Sequence, residues 1–369
     1  MYRVEISSHS FQMMGIYHED IGNFPQSIAS SGAWEGRQFV DESEYVHHLT
    51  DIEAKEIGSA LLNFKRLGLD GDAVCQENFP LPALSQKLYR ISTDVHEGKG
   101  FGLIRGLNTL EFSTADLTIA YLGIQSYVAN TRGRQDGKGN MLVHITSDNS
   151  TEFTRQHHRH STSEISFHTE EAGDVISWLT RSTAASGGKC VLASAYTVYN
   201  ILNKSYKDSL NILVQPIWVF VNQDVCPRPI FFCHNKRILI NFGRVQLIGN
   251  AIHPRPPRLP PLSKQQLQAL DDVENLARMV QLEIKTRPGD IHFVNNLFVL
   301  HRRESFQDSY ESSERRHLVR MRLRDDTLRW DLPASLEKEW SHSFDEGPAK
   351  VWHIEPMPSG FFPLRSYAN

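Results

Sequence analysis

From about residue 140 onward the chain runs in short strand-like segments, and this limits it to folds whose strands cover one another. "NMLVHI", "DVISWLT", "IWVFV", "RILINF", "DIHFVNN" and "RHLVRMRLR" are rich in β-branched, aromatic and aliphatic residues. The last of them constrains most. Side chains alternate faces along an extended backbone, so Arg316, Leu318 and Arg320 share one face and His317 and Val319 take the other. Two arginines on an inward face are costly unless anions meet them. That oddity asks for negative charge beside this strand.

Helices dominate the first third. Thr50 with Glu53 makes a capping box ahead of Ile52, Ile57, Leu61, Phe64 and Leu67 at helical spacing. A second helix is read in "LPALSQKLYRISTDV", ended by the glycines of "EGKGFG", and the strand-like "GFGLIRGL" follows it. A third begins at Ser113, with Asp116 three residues on. Later in the chain "ASAYTVYNIL" reads as a short helix, and Ser263 with Gln266 opens a long one carrying Leu267, Leu270, Ala277 and Val280 on one side. "HPRPPRLPPLS" reads as a stiff connection into that helix, or as an imitation of a polyproline ligand.

Bulk properties exclude several classes. A chain of 369 residues, 40% hydrophobic and 22% charged, is an ordinary soluble globular composition, long enough for two domains or one large one. The net charge of −4 offers no basic field to nucleic acid or an anionic membrane. No run approaches the roughly 20 apolar residues of a spanning helix, and the N-terminus lacks a signal-peptide core. Four irregularly spaced cysteines suggest no disulfide framework. The expected location is cytoplasmic, and the two glycosylation sequons, at Asn149 and Asn203, are read as chance.

A histidine two residues from a carboxylate can grip one metal ion from an extended backbone. The pattern occurs three times, in His18-Glu19-Asp20, His168-Thr169-Glu170 and His353-Ile354-Glu355, and with 17 histidines and 43 acidic residues chance supplies some of them. Context selects the middle one. It sits at the start of the strand-rich region, and His301 follows 133 positions later in "RPGDIHFVNNLFVLHRRESF". The histidine tract "RQHHRHSTS" reads instead as a solvated loop. Two imidazoles and a carboxylate on one side of iron(II) leave three positions open, two for the 2-oxo acid end of 2-oxoglutarate and one for dioxygen. The distal carboxylate of that cosubstrate then suits an arginine fork.

These segments carry a resemblance. With "NFPLPALSQKL", "GRQDGKGNMLVHI", "FHTEEAGDVISWL", "GGKCVLASAYTVYNIL", "PGDIHFVNNLFVLHRRESFQD" and "RRHLVRMRLRDD", the chain resembles the taurine dioxygenase/TfdA-like iron(II) and 2-oxoglutarate-dependent oxygenases, in their clavaminate-synthase-like branch. The resemblance implies a mainly β fold with helical additions, a double-stranded β-helix or jelly-roll. It implies one domain over 1–369, with a helical buttress over 1–130, the β-helix core over 140–330 and a C-terminal extension over 331–369. His168, Glu170 and His301 then look like the metal ligands, and Arg316 aligns with the arginine that binds the distal carboxylate of 2-oxoglutarate. Arg320, about 13 Å further along at roughly 3.3 Å per residue, aligns with an arginine that holds a substrate anion. The implied reaction couples decarboxylation of 2-oxoglutarate by dioxygen to oxidation of an unactivated C–H bond in a small, carboxylate-bearing, amino-acid-like substrate, as hydroxylation, desaturation or ring closure. Secondary metabolism is a setting known for such relatives.

Two positions depart from the pattern. Glu170 stands where many relatives have aspartate. Cys190 stands where taurine dioxygenase has a threonine hydroxyl bonded to the cosubstrate, and a thiol is a weak donor. The cosubstrate is then held less tightly, or by another hydroxyl. Asn295 and Asn296 either orient His301 or build a turn, while Gln135 and Asp136 read as turn residues. Two other classes fit the fold: a metal-dependent isomerase or hydrolase without the Arg316 clamp, and a non-catalytic binding protein in which the triad is dispensable.

Overall fold

Capping side chains set the helix starts at Thr50, Ser113 and Ser263, as the sequence indicates. The computed structural model describes residues 24–147, 161–220, 227–250, 254–309, 314–345 and 347–356. After β1 (Val46–His48), the Thr50 hydroxyl accepts from Glu53 N and the Glu53 carboxylate accepts from Thr50 N at 2.7 Å, opening α1 (Asp51–Arg66). Next come α2 (Ser85–His96), β2 (Phe101–Arg105) and α3 (Thr114–Gln125), the last capped by Ser113. Six strands follow: β3 (Thr131–Gly133), β4 (Val143–Thr146), β5 (Ile165–His168), β6 (Val175–Ser182), β7 (Ser186–Gly187) and β8 (Cys190–Ser194). Then come α4 (Ala195–Ser205), α5 (Lys207–Leu213), β9 (Phe231–His234), β10 (Arg237–Ile240), α6 (Arg244–Ile248) and α7 (Lys264–Val280). The chain closes with β11 (Leu282–Ile284), β12 (Ile291–Asn295), β13 (Val299–Arg303), β14 (Phe306–Gln307), β15 (His317–Arg324) and α8 (Ala334–Phe344).

Two sheets frame the interior. The larger runs β1-β2-β12-β6-β15-β3, with β4 also paired to β15, and the smaller runs β11-β8-β13-β5. One apolar cluster joins Ile176, Trp178 and Leu318 of the larger sheet to Phe167, Val191 and Leu300 of the smaller, so these faces look at each other. A second cluster covers the other face of the larger sheet. There Leu179, Phe293, Val319 and Leu323 pack on Ile57, Phe64, Leu88, Ile91 and Tyr121 from the three N-terminal helices. The alternation of β15 is therefore realised: Leu318 faces between the sheets and Val319 faces the helices. This is the double-stranded β-helix with helices packed outside it. No described helix is long and apolar enough to cross a membrane.

Local readings differ from the structure where packing overrides pattern. "IWVFV" forms no strand; among the described residues Trp218 makes only an isolated bridge to Arg228. "ASAYTVYNIL" is divided, because Ser194 ends β8 and caps α4. Ile52 and Leu67 on α1 are 72% and 55% exposed, and Leu267 on α7 is 37% exposed, so the buried stripes are narrower than the apolar spacing suggested. His18-Glu19-Asp20, Asn149 and most of the histidine tract lie outside the described residues.

A buried ion pair ties β2 to the turn before β12. Asp290, with no exposed surface, accepts from Arg105 Nε and Nη2 at 2.9 Å each and from Arg287 N at 2.8 Å. Arg105 also reaches Glu42 and the Lys285 carbonyl at 2.9 Å. Removing one partner strands a charge. Arg105→Ala is expected to lower unfolding stability by about 3–5 kcal/mol, while replacing both partners with apolar residues of similar volume costs less. Denaturant unfolding checks this, and a double variant as unstable as the single one would contradict it.

Candidate metal centre

Strand pairing sets two histidines side by side. β13 runs antiparallel to β5 with His301 directly opposite His168, and the register slips just beyond, before Arg303. The ring centroids lie 4.3 Å apart. The triplet His168-Thr169-Glu170 is anchored at its middle residue: Thr169 N donates to the Phe242 carbonyl at 2.7 Å, and Phe242 N donates to Thr169 Oγ1 at 3.0 Å. Glu170 is held by Asn296, whose Oδ1 accepts from Glu170 N at 2.7 Å and whose Nδ2 donates to the Glu170 and Gly173 carbonyls at 3.0 Å. Gly173 closes this turn at φ +106°, a conformation open to glycine at little cost.

The three donors converge. One ligand atom each from His168, Glu170 and His301 lies within 4.8 Å of the others, with Glu170 Oε1 3.9 Å from His168 Nε2 and 3.8 Å from His301 Nε2. His168 Nδ1 stands 2.9 Å from the Ser166 carbonyl, which favours the proton on Nδ1 and leaves the Nε2 lone pair directed at the site. Glu170 Oε1 also forms a close ion pair with Arg320 Nη1. The other nitrogen, Nη2, donates to Gln135 Oε1 at 3.3 Å.

These residues open on a cavity of about 370 Å³ between the sheets. Arg316, Leu318 and Arg320 all line it, as does Cys190 on the opposite wall. Its lining includes four arginines and two lysines, and Glu170 is the only carboxylate among the described lining residues. Arg316 is half-buried, with its guanidinium 5.3 Å from the centre of the Phe306 ring, and its Nη1 is buried without a partner. Burial lowers its pKa to about 10, so it stays charged at neutral pH. Burial also pushes the Cys190 thiol up to about 12, so it stays protonated.

The residue roles differ in part from those the sequence suggested. Asn296 holds Glu170 and not His301, while Asn295 donates to the Val95 carbonyl at 3.0 Å. Asp136 does build a turn, accepting from Lys138 N and Asn140 N. Gln135, however, reaches the site through Arg320, a contact no local pattern announces. His353-Ile354-Glu355 straps the C-terminal segment down: Arg181 grips the Ile354 carbonyl and Glu355, and His144 meets the His353 carbonyl. The donor set fits iron(II), and the unpartnered Arg316 nitrogen fits the far carboxylate of a dicarboxylic cosubstrate.

Comparison with known proteins agrees with this geometry. The family model for the taurine catabolism dioxygenase TauD, TfdA family matches residues 64–322. The taurine hydroxylase-like protein of Stachybotrys chartarum is 34% identical over 340 residues, covering 88% of each chain. Among solved structures, asparagine oxygenase with Fe(II), 2S,3S-3-hydroxyasparagine and succinate superposes at TM-score 0.62 and 13% identity, over 76% of this chain and 94% of that one. The non-heme iron oxygenase OrfP with Fe and alpha-ketoglutaric acid superposes at 0.56 and 14% identity, with the same coverage.

The turn that carries Glu170 has a pH-dependent support. Asp174 follows it, accepts from Trp340 Nε1 at 2.6 Å, and has its other oxygen buried without a partner. Burial raises its pKa from 3.8 to about 7. The native state therefore keeps a proton that the unfolded chain has released. The stability this group contributes is full below the unfolded value near 4 and is lost as pH rises through about 7. Asp174→Asn keeps the acceptor for Trp340 and removes the titration. Its stability relative to the parent should rise between about pH 5 and pH 8 in parallel melts. A difference that does not change with pH would refute this.

Proposed function

The chain belongs to the taurine catabolism dioxygenase TauD, TfdA family, and from that membership we propose that His168, Glu170 and His301 hold its iron and that it oxidises a small, anionic, amino-acid-like molecule. It is a 2-oxoglutarate-dependent dioxygenase that uses iron(II) and dioxygen. The observation that carries the site assignment is the convergence of three donors within 4.8 Å on a cavity where a buried arginine nitrogen lacks a partner. Iron(II) with 2-oxoglutarate supplies the oxidising power, as decarboxylation to succinate and carbon dioxide accompanies reduction of dioxygen.

The chain's own residues position and exclude. His168 presents Nε2 because Nδ1 faces the Ser166 carbonyl. Asn296 fixes the backbone of Glu170, so the carboxylate arrives at the histidines from a rigid turn. Arg316 takes the distal carboxylate of 2-oxoglutarate, and the apolar walls formed by Ile165, Trp178 and Leu318 keep water from the reacting carbon. Arg320 has two tasks. Without metal it neutralises Glu170, and once a divalent cation takes up that charge it meets a substrate anion. The excess of cationic over anionic lining residues supports an anionic substrate. The hydroxylated amino acid in the asparagine oxygenase complex is amino-acid-like and carries a carboxylate, though no net charge. The whole chain is read as one oxygenase domain, with the helical first third bracing the larger sheet.

Anaerobic addition of iron(II) and then 2-oxoglutarate should produce the visible charge-transfer absorption of the chelate. His168→Ala and His301→Ala should each lose it, together with succinate formation, while melting close to the parent; Glu170→Ala should lose both as well, and melt lower because Arg320 is stranded. Turnover retained in any of them would mean the ligands are misassigned.

The two arginines should separate. Arg316→Ala is expected to weaken 2-oxoglutarate binding by roughly 2–4 kcal/mol with little effect on iron affinity. Arg320→Ala should still bind and slowly consume 2-oxoglutarate, yet show no stimulation by substrate. The readout is oxygen uptake across a panel of amino acids and small carboxylates. Stimulation of the parent by neutral compounds alone would sink the anionic-substrate reading.

A further inference from the structure

Thr180 is a buried hydroxyl with nothing to bond. It lies on β6, has no exposed surface, and its Oγ1 has no hydrogen-bond partner among the described residues. Its backbone is fully used, since Thr180 N donates to the Asp290 carbonyl at 2.9 Å and the Thr180 carbonyl accepts from Gly289 N at 2.8 Å. A hydroxyl left bare in an apolar interior costs on the order of 1–3 kcal/mol. Such a group calls for a missing acceptor, and Thr180 lines the cavity.

Register places it beside the clamp. β6 and β15 pair Trp178 with Arg320 and Thr180 with Leu318. Arg316 is two residues before Leu318, just beyond the register slip between His317 and Leu318, and lines the same cavity as Thr180. Two buried donors without partners, Arg316 Nη1 and Thr180 Oγ1, thus belong to residues that line one cavity. The adjacent Ser182 hydroxyl is already committed to the Arg315 carbonyl. Across the cavity Cys190 offers only a protonated thiol, a weak donor.

We propose that Thr180 donates the neutral hydrogen bond to the distal carboxylate of 2-oxoglutarate held by Arg316, supplying from β6 the hydroxyl that Cys190 on β8 does not provide. This rests on the oxygenase reading above and adds to it a positioning residue specific to this chain. Selectivity for a dicarboxylic cosubstrate then comes from one charged and one neutral donor lining the same cavity.

The test is equilibrium binding by anaerobic calorimetry on the iron(II)-loaded full-length protein. Two probes are compared: 2-oxoglutarate, and 2-oxobutyrate, which lacks the distal carboxylate. Thr180→Val should weaken 2-oxoglutarate roughly 10- to 100-fold and leave 2-oxobutyrate unchanged, the loss expected for one hydrogen bond to a charged group. Thr180→Ser and Cys190→Ala should each stay within about threefold of the parent, since the first keeps the hydroxyl and the second removes only a weak donor. Thr180→Ala takes the place of the valine variant should that fail to fold. Undiminished 2-oxoglutarate binding in the variant lacking the hydroxyl would overturn the proposal. So would equal loss of both probes, or a Cys190→Ala loss as large as that of Thr180→Val. A parent protein that binds 2-oxobutyrate but not 2-oxoglutarate, or neither, would instead defeat the oxygenase reading and this assignment with it.

Discussion

A guanidinium taken out of water must be met by acceptors, because its desolvation costs several kcal/mol. The interior is organised around this requirement. Among the described residues seven arginines are buried, and the chain supplies each with oxygen. Arg105 meets Asp290, Arg228 meets Glu339 and Asn241, Arg302 meets Gln281, and Arg303 meets the Ser161 and Ser163 carbonyls. Arg320, Arg322 and Arg324 on β15 meet Glu170, Glu171 and Asp345. Arg316, just before that strand, departs from the rule, with a buried nitrogen that no described residue satisfies. Arg316 Nη1 and Thr180 Oγ1 are both bare donors of residues that line the cavity, and that is where an anion from outside fits.

The same rule makes Glu170 the hinge of the site. Its carboxylate stands beside two imidazoles on the smaller sheet and is paired with a guanidinium on the larger one. A divalent cation among those donors competes with Arg320 for the carboxylate charge, so metal binding and the electrostatics of the substrate end of the cavity are coupled. Neither arginine acts alone. In the proposed site Arg316 answers to the cosubstrate and Arg320 to the metal, and both line one cavity.

What the sequence disclosed was what local chemistry determines. The capping boxes at Thr50 and Ser263 appear as read, because a cap is decided within four residues. The alternation of β15 was legible because an arginine every second or fourth position has no ordinary structural reading. The meeting of His168 and Glu170 with His301 was legible through the spacing of the triplet combined with His301. Contacts made by distant pairing were not. The smaller sheet depends on β5, β8 and β13, each only four or five residues long, and one of them runs straight into a helix. The Asn296–Glu170 cradle spans 126 positions and the Gln135–Arg320 contact spans 185. The apolar spacing of α1 overcounted its buried face at Ile52, in its first turn, and at Leu67, just past its end, both of which are exposed.

The glutamate at position 170 now has a geometric reason. Its carboxylate must satisfy two demands from opposite walls, the imidazoles of β5 and β13 and the guanidinium of β15. The backbone at this residue is fixed by Asn296 and, one residue earlier, by Phe242, so it has little freedom to move toward β15. The extra methylene of glutamate supplies reach that the anchored turn cannot. An aspartate on the same backbone would have a shorter arm and would have to favour the histidines or Arg320. The departure from the commoner aspartate and the burial of Arg320 are thus one arrangement, in which the length of the ligand arm is matched to the separation of the two sheets. The site is built by both sheets together.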